Sequence, residues 1–94
     1  MERKNDQLLT AFALVLRRKR HAAGLSQEDL AARSDISTRH ISHLETMRRQ
    51  PTLTIFAALC YGLDVTMIEF SGDLEEEVAR VGHAQTQPVS GNNI

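Results

Sequence analysis

Ninety-four residues with a net charge of −1 make one small domain around one core, with no room for a second. An apolar content of 41% and a charged content of 24% are those of a globular chain and exclude a wholly disordered one. A single cysteine, Cys60, excludes an internal disulfide and suits a reducing cytoplasm; no apolar run is long enough to span a bilayer, and no N-terminal signal peptide is visible.

The net charge hides an asymmetry. Residues 1–50 hold ten Lys/Arg against six Asp/Glu, a balance of +4. Residues 51–94 hold one Arg against six Asp/Glu, a balance of −5. A chain that binds a polyanion needs positive charge on one face, not a basic total.

Residues 1–6 are polar and expected to fray. A helix follows from about Gln7 to Ala23, with Leu8, Phe12, Val15, Leu16 and Lys19 at near-helical spacing. Lys19 is expected to lay its methylene stem on the core edge and keep its ammonium in water. Gly24 stops the helix where a left-handed backbone is easiest. The run Arg17-Arg18-Lys19-Arg20 falls at the helix end, where cations suit the dipole. Only part of it is expected to touch a nucleic acid, the rest being a solvated face.

The stretch Leu25–Leu44 then reads as two short helices joined by a tight turn. Ser26 caps the first, about Gln27 to Arg33, and Asp29 three residues on gives a capping box with Asp in place of Glu or Gln. Ser37 caps the second, which runs to about Glu45. Ser34-Asp35-Ile36 forms the turn. Leu30, Ala31, Ile36, Ile41 and Leu44 face one core. Thr38, Arg39, His40 and His43 face solvent. An exposed helix start rich in hydrogen-bond donors, on a small rigid unit, is the arrangement that reads base edges in a DNA major groove.

Residues Glu45 to Pro51 are a basic loop, because Pro51 disfavours helix at Gln50. Thr52 caps a fourth helix, about Leu53 to Leu63, with Leu53, Phe56, Leu59, Cys60 and Leu63 inward. Gly62 weakens that helix by ~1 kcal/mol relative to Ala. Asp64 takes the turn, and Val65 and Thr66 begin a fifth helix that runs to Phe70. Ser71-Gly72-Asp73 is expected to interrupt it before a short acidic helix, Leu74 to Val81, whose Glu75, Glu76 and Glu77 form a solvated face. From His83 onward the chain is small and polar, with the composition of a disordered tail. The expected division is therefore 7–70 as a DNA-binding domain, 71–82 as a helical extension and 83–94 as the tail.

Leu16-Arg17 with Arg20, Gly24-Leu25-Ser26-Gln27, Leu30-Ala31, Ile36-Ser37, Ile41-Ser42, Leu44-Glu45 and Pro51 together resemble the helix-turn-helix domain of the phage-repressor/Cro (XRE-type) family. The resemblance spans roughly Phe12 to Phe70. It implies an all-α fold, a compact five-helix, lambda-repressor-like DNA-binding domain, here with a short acidic C-terminal helical extension. It also implies roles for single residues. Gln27 falls where the family touches phosphate or the DNA rim. Thr38, Arg39 and His43 fall at base-reading positions, with Arg39 matched to guanine because its fork fits the O6/N7 pair. His40 lies at the groove edge, Ser37 and Ser42 add phosphate contacts, and Arg48 and Arg49 clamp the backbone. Arg20 and Glu45 correspond to a partly buried structural ion pair. Two departures stand out: Asp35 and Met47 occupy positions where the family often has Gly. Asp tolerates a left-handed backbone fairly well and Met does not. Either the loop at Met47 is reshaped or strain is accepted there.

The function implied is a sequence-specific transcriptional regulator, similar to phage repressors and to restriction–modification controllers. It would act as a homodimer on an inverted-repeat operator, through Tyr61, Leu63, Val65, Met67, Ile68 and Phe70. Double-stranded DNA and a second copy are the expected partners, with no membrane, small-molecule substrate or cofactor. An enzyme reading is poor. His40 and His43 at i, i+3 lack a third metal ligand, and Cys60 reads as an inert core thiol. An antitoxin or adaptor that uses the fold mainly to bind another protein is the alternative.

Overall fold

In the computed structural model, the backbone is described for residues 2–93 and side chains for residues 6–82. Five helices follow in order: α1 (Glu2–Ala22), α2 (Gln27–Ser34), α3 (Thr38–Glu45), α4 (Leu53–Leu63) and α5 (Met67–Asn93). No strand occurs among the described residues. The backbone of 2–6 and 83–93, where fraying and a disordered tail were expected, is helical, and the side chains of 1–5 and 83–94 lie outside the described residues.

Hydroxyl caps start four of these helices. The Ser26 hydroxyl accepts from the Asp29 N–H at 2.9 Å, and the Asp29 carboxylate accepts from the Ser26 N–H at 3.0 Å, so Asp completes the capping box. Ser37 accepts from the His40 N–H at 3.0 Å and Thr52 from the Ile55 N–H at 3.1 Å. Thr66 accepts from the Glu69 N–H at 3.0 Å, so α5 starts at Met67 and not at Val65 as the sequence suggests.

Left-handed residues stop the helices: Gly24 (φ 73°), Asp35 (φ 59°), Met47 (φ 65°) and Asp64 (φ 62°). After three of them an apolar residue folds back and donates to the last turn. Leu25 N–H reaches Arg20 O at 3.0 Å, Ile36 N–H reaches Ala31 O at 3.1 Å, and Val65 N–H reaches Cys60 O at 3.0 Å. Each of these apolar residues packs on the core, as this kind of helix stop requires. Met47 therefore accepts the strain that its side chain implies. Replacing it with Gly removes that strain at the loss of a 3.3 Å contact from the Thr10 hydroxyl to the Met47 sulfur. Met47→Gly is expected to raise stability by about 0.5–1 kcal/mol, read as a higher urea midpoint at unchanged m.

Phe12, Phe56 and Phe70 meet at the centre of the core, with ring centroids 5.1–6.3 Å apart. Leu16, Leu30, Ile41, Leu44 and Leu59 are fully buried around them. Two residues expected inside are not. Leu53 is 84% exposed and Leu8 46% exposed. They border an apolar cleft of about 300 Å³, with Pro51 and Leu74, instead of closing it. At Gly62, α4 approaches α2 closely. A Cβ there would lie 2.3 Å from Ser34 Oγ and 3.0 Å from Leu30 Cδ1. Ser34 Oγ is itself buried with no hydrogen-bond partner.

The largest correction concerns α5. It runs unbroken through Ser71-Gly72-Asp73, where an interruption was expected. The helix lies along α1, which secures it by ion pairs: Lys19 with Asp73, and Arg18 with Glu77 at 3.1 Å. Glu77 is only 4% exposed and also takes Arg80 at 3.1 Å, so it is not part of a solvated acidic face, unlike Glu75 and Glu76. Lys19 accordingly ends on a carboxylate and not in open water.

Candidate nucleic-acid interface

Helix α3 has two faces because its residues repeat at helical spacing. Ile41, Leu44 and Glu45 are buried. Thr38 and Arg39 are exposed, and His40, Ser42 and His43 are half-buried. Arg39 and His43 stand one turn apart on the outward face. Ser37, at the helix entrance, spends its hydroxyl oxygen on the cap and retains its O–H. Arg48 and Arg49 are exposed in the next loop. Their N–H groups converge on His43 O at 2.8 and 3.3 Å, which fixes the loop to the end of α3.

A buried ionic knot holds this unit to α1. Arg20 Nε donates to Glu45 Oε2 at 2.6 Å and Arg20 Nη2 to Glu45 Oε1 at 3.0 Å, a bidentate pair with the residues 8% and 3% exposed. Arg20 Nη1 also donates to Leu25 O at 2.9 Å, and Arg17 Nη2 to Glu45 O at 3.3 Å. Burial alone would raise the Glu45 carboxyl. Hydrogen bonds from Arg20 and Gln27 and the charges of Arg20 and Arg17 outweigh it and hold Glu45 below the usual carboxylate range. The same hydrogen bond to Glu45 raises Arg20, against its own burial.

Gln27 is not a free surface amide. Its Nε2 donates to Glu45 Oε1 at 2.9 Å, so the side chain expected to touch phosphate is partly committed to the ionic knot. The basic run on α1 is committed too. Arg17 and Arg20 face Glu45, Arg18 faces Glu77 and Lys19 faces Asp73. Among the described residues, by contrast, Arg39, Arg48 and Arg49 have no carboxylate within ion-pair distance. These three concentrate the free positive charge around α3. Sequence reading missed the commitment of Arg18 and Lys19. The only signal for it was the opposite sign of the 69–77 stretch.

His43 feels this concentration. Desolvation, and then the positive charges of Arg39, Arg48, Arg49 and His40, push its imidazole below the ordinary value of 6.5. No group of three or more potential metal ligands converges among the described residues. Cys60 is buried, which pushes its thiol up, away from a reactive thiolate.

The residues expected at a dimer surface divide in two. Tyr61 (81% exposed), Ile68 (85%) and Met67 (50%) are on the surface. Leu63 and Phe70 are not available, because they point into the core beside Leu59 and Cys60, and Val65 is half-buried against the same cluster. Among the described residues, no single helix is long and apolar enough to cross a membrane.

Comparison with known proteins agrees with this geometry. Residues 11–70 match the family described as a helix-turn-helix domain. Over 59 residues the chain is 37% identical to the uncharacterized HTH-type transcriptional regulator y4dJ of Sinorhizobium fredii (strain NBRC 101917 / NGR234), covering 63% of this chain and 77% of that one. The fold is similar to the crystal structure of the wild-type restriction–modification controller protein C.Esp1396I, with a TM-score of 0.74 and 30% identity over 78% of this chain and 95% of the controller. The same controller, crystallised as a tetramer with its natural 35 base-pair operator, gives a TM-score of 0.73 and 30% identity over 77% of this chain and 95% of that one. Two capped helices around a left-handed Asp35, an outward α3 face whose arginines lack carboxylate partners among the described residues, and a family match over most of the chain lead to one conclusion: this chain belongs to the XRE-type helix-turn-helix family of transcriptional regulators.

Proposed function

We propose that the chain is a sequence-specific DNA-binding regulator that acts as a homodimer on an inverted-repeat operator, by binding and not by catalysis, in the cytoplasm. The observation that carries this reading is the outward face of α3: Arg39 and the loop arginines Arg48 and Arg49 form a cationic surface beside His43, with no carboxylate partner among the described residues. Arg39 presents a fork to guanine, Thr38 offers a methyl or hydroxyl, and Ser37, Ser42, Arg48 and Arg49 are placed for phosphate. The similarity to a controller crystallised as a tetramer with its 35 base-pair operator supports the DNA-binding reading. Tyr61, Met67 and Ile68 supply the exposed apolar surface for a second copy, with Val65 at its edge. A two-fold pair of reading helices about one helical turn apart, ~34 Å, would then meet both half-sites on one side of the duplex.

Selection of the purified chain against a random DNA pool at near-physiological salt tests the proposal. Recovery of an inverted repeat is the expected result. A single unrepeated motif would remove the symmetric dimer, and no enrichment at any salt would turn attention to a protein partner on the Tyr61–Ile68 surface. Within the selected site, Arg39→Ala is expected to lose about 1–3 kcal/mol of discrimination at one base pair while general affinity falls less. Repeating the selection with the variant checks this, and an unchanged preferred sequence would contradict the assignment of Arg39.

A further inference from the structure

The outward end of α3 is concave. Ser37, Arg39, His40, His43 and Arg49 line a cavity of about 130 Å³. Its lining is suited to an anion in two respects. Arg39 and Arg49 have no carboxylate partner among the described residues, and the Ser37 hydroxyl still has its proton to donate. The charged groups acting on the His43 imidazole are Arg39 and His40 from its own helix and Arg48 and Arg49 from the following loop. From α1, Arg17 and Arg20 face Glu45 instead, and from α2 Gln27 does the same. Glu45 itself is buried among them. His43 thus has positive charge beside it and, among the described residues, no carboxylate acting on it.

We propose that this cavity is a phosphate seat, filled by a backbone phosphate of the DNA duplex, and that His43 takes up a proton from solvent as the phosphate enters. The inference rests on the DNA-binding reading above and gives His43 a phosphate contact in place of a base contact. In the free protein desolvation, and then the neighbouring cations, hold the imidazole below its ordinary 6.5. A phosphate offsets their charge and offers the imidazolium an acceptor, so the complex holds more protons than the free protein. Linkage then makes DNA affinity rise as pH falls, until the free protein is protonated as well. Inorganic phosphate has the same chemistry and is the competing occupant.

Operator affinity is measured by fluorescence anisotropy with the full chain at pH 5.5, 6.5 and 7.5, at constant ionic strength. Wild type is expected to bind more tightly at lower pH, by at most about tenfold per pH unit for one proton. His43→Gln is expected to lose that dependence. A parallel NMR titration follows the His43 ring proton with the duplex and with inorganic phosphate alone. A raised midpoint with both, or with the duplex only, supports the seat, and the comparison shows whether free phosphate suffices. Operator binding that is independent of pH, with a His43 midpoint that the duplex leaves in place, overturns the seat. Loss of all DNA binding, random duplex included, overturns the DNA reading instead; a His43 midpoint still raised by inorganic phosphate would then keep the cavity as an anion site.

Discussion

Arg20→Ala is expected to cost about 3–5 kcal/mol of folding stability, a large share of the roughly 5–15 kcal/mol available to a small domain. The substitution leaves the Glu45 carboxylate, 3% exposed, with Gln27 as its remaining side-chain partner. Most of the effect is the unpaired buried charge, not the intrinsic worth of the pair. The double variant Arg20→Met, Glu45→Leu should therefore recover much of the loss, and urea denaturation of the three proteins separates the two contributions. The sign of the pH dependence follows from Glu45. Its folded value lies below the ordinary 4.5, so its contribution is present above that pH and disappears as pH falls through the folded value. Wild type should lose stability across that acid window more steeply than the double variant, which has no carboxylate there. Equal acid sensitivity in both would remove Glu45 as the cause.

Gly62→Ala is the second large effect, and its sign depends on two opposing magnitudes. In a helix interior Ala is favoured over Gly by ~1 kcal/mol. Against this, the added methyl would meet Ser34 Oγ at 2.3 Å and Leu30 Cδ1 at 3.0 Å, an overpacking cost of about 1–3 kcal/mol. Net destabilisation by up to about 2 kcal/mol is expected. Ser34→Ala changes the balance. It removes the atom in the way and also a buried hydroxyl with no partner, so alone it should stabilise by about 1 kcal/mol. In that background Gly62→Ala should be nearly neutral, since only Leu30 has to shift by a few tenths of an ångström. A double-mutant cycle in urea reads this coupling directly. If Gly62→Ala stabilises the wild-type background, the close approach of α2 and α4 is looser than described.

Gly62 also shows where sequence reasoning stops. As a residue type it signals a weak helix, while its meaning comes from a neighbour 28 positions away. Local chemistry was legible. Ser26, Ser37 and Thr52 cap the helices expected of them, and Asp35 and Met47 occupy the left-handed backbone that family comparison flagged. The outward set on α3 and the inward set of Ile41 and Leu44 also follow from spacing alone. What failed depended on distant partners. Leu53 carries the right spacing for the core but overhangs a cleft, and Phe70, read as dimer surface, fills the core instead; Leu63, read both as inward and as dimer surface, is inward. Ser71-Gly72-Asp73 has the composition of a break, yet the packing of α5 on α1 overrides the weak local preference. Gln27 reads as a free amide until Glu45 is placed beside it.

The four consecutive basic residues ending α1 have a mechanical consequence. Arg17 and Arg20 grip the end of α3, while Arg18 and Lys19 grip α5. One turn of helix is thus bolted to the reading element on one side and, on the other, to the helix that bears Met67 and Ile68 of the proposed subunit contact. In the proposed dimer this turn would act as a strut. The distance and rotation between the two α3 helices would be carried through it as well as through the thin turn at Ser34–Ile36. A run of charge that looks suited to DNA would become instead the ruler that sets which half-site spacing the pair can span.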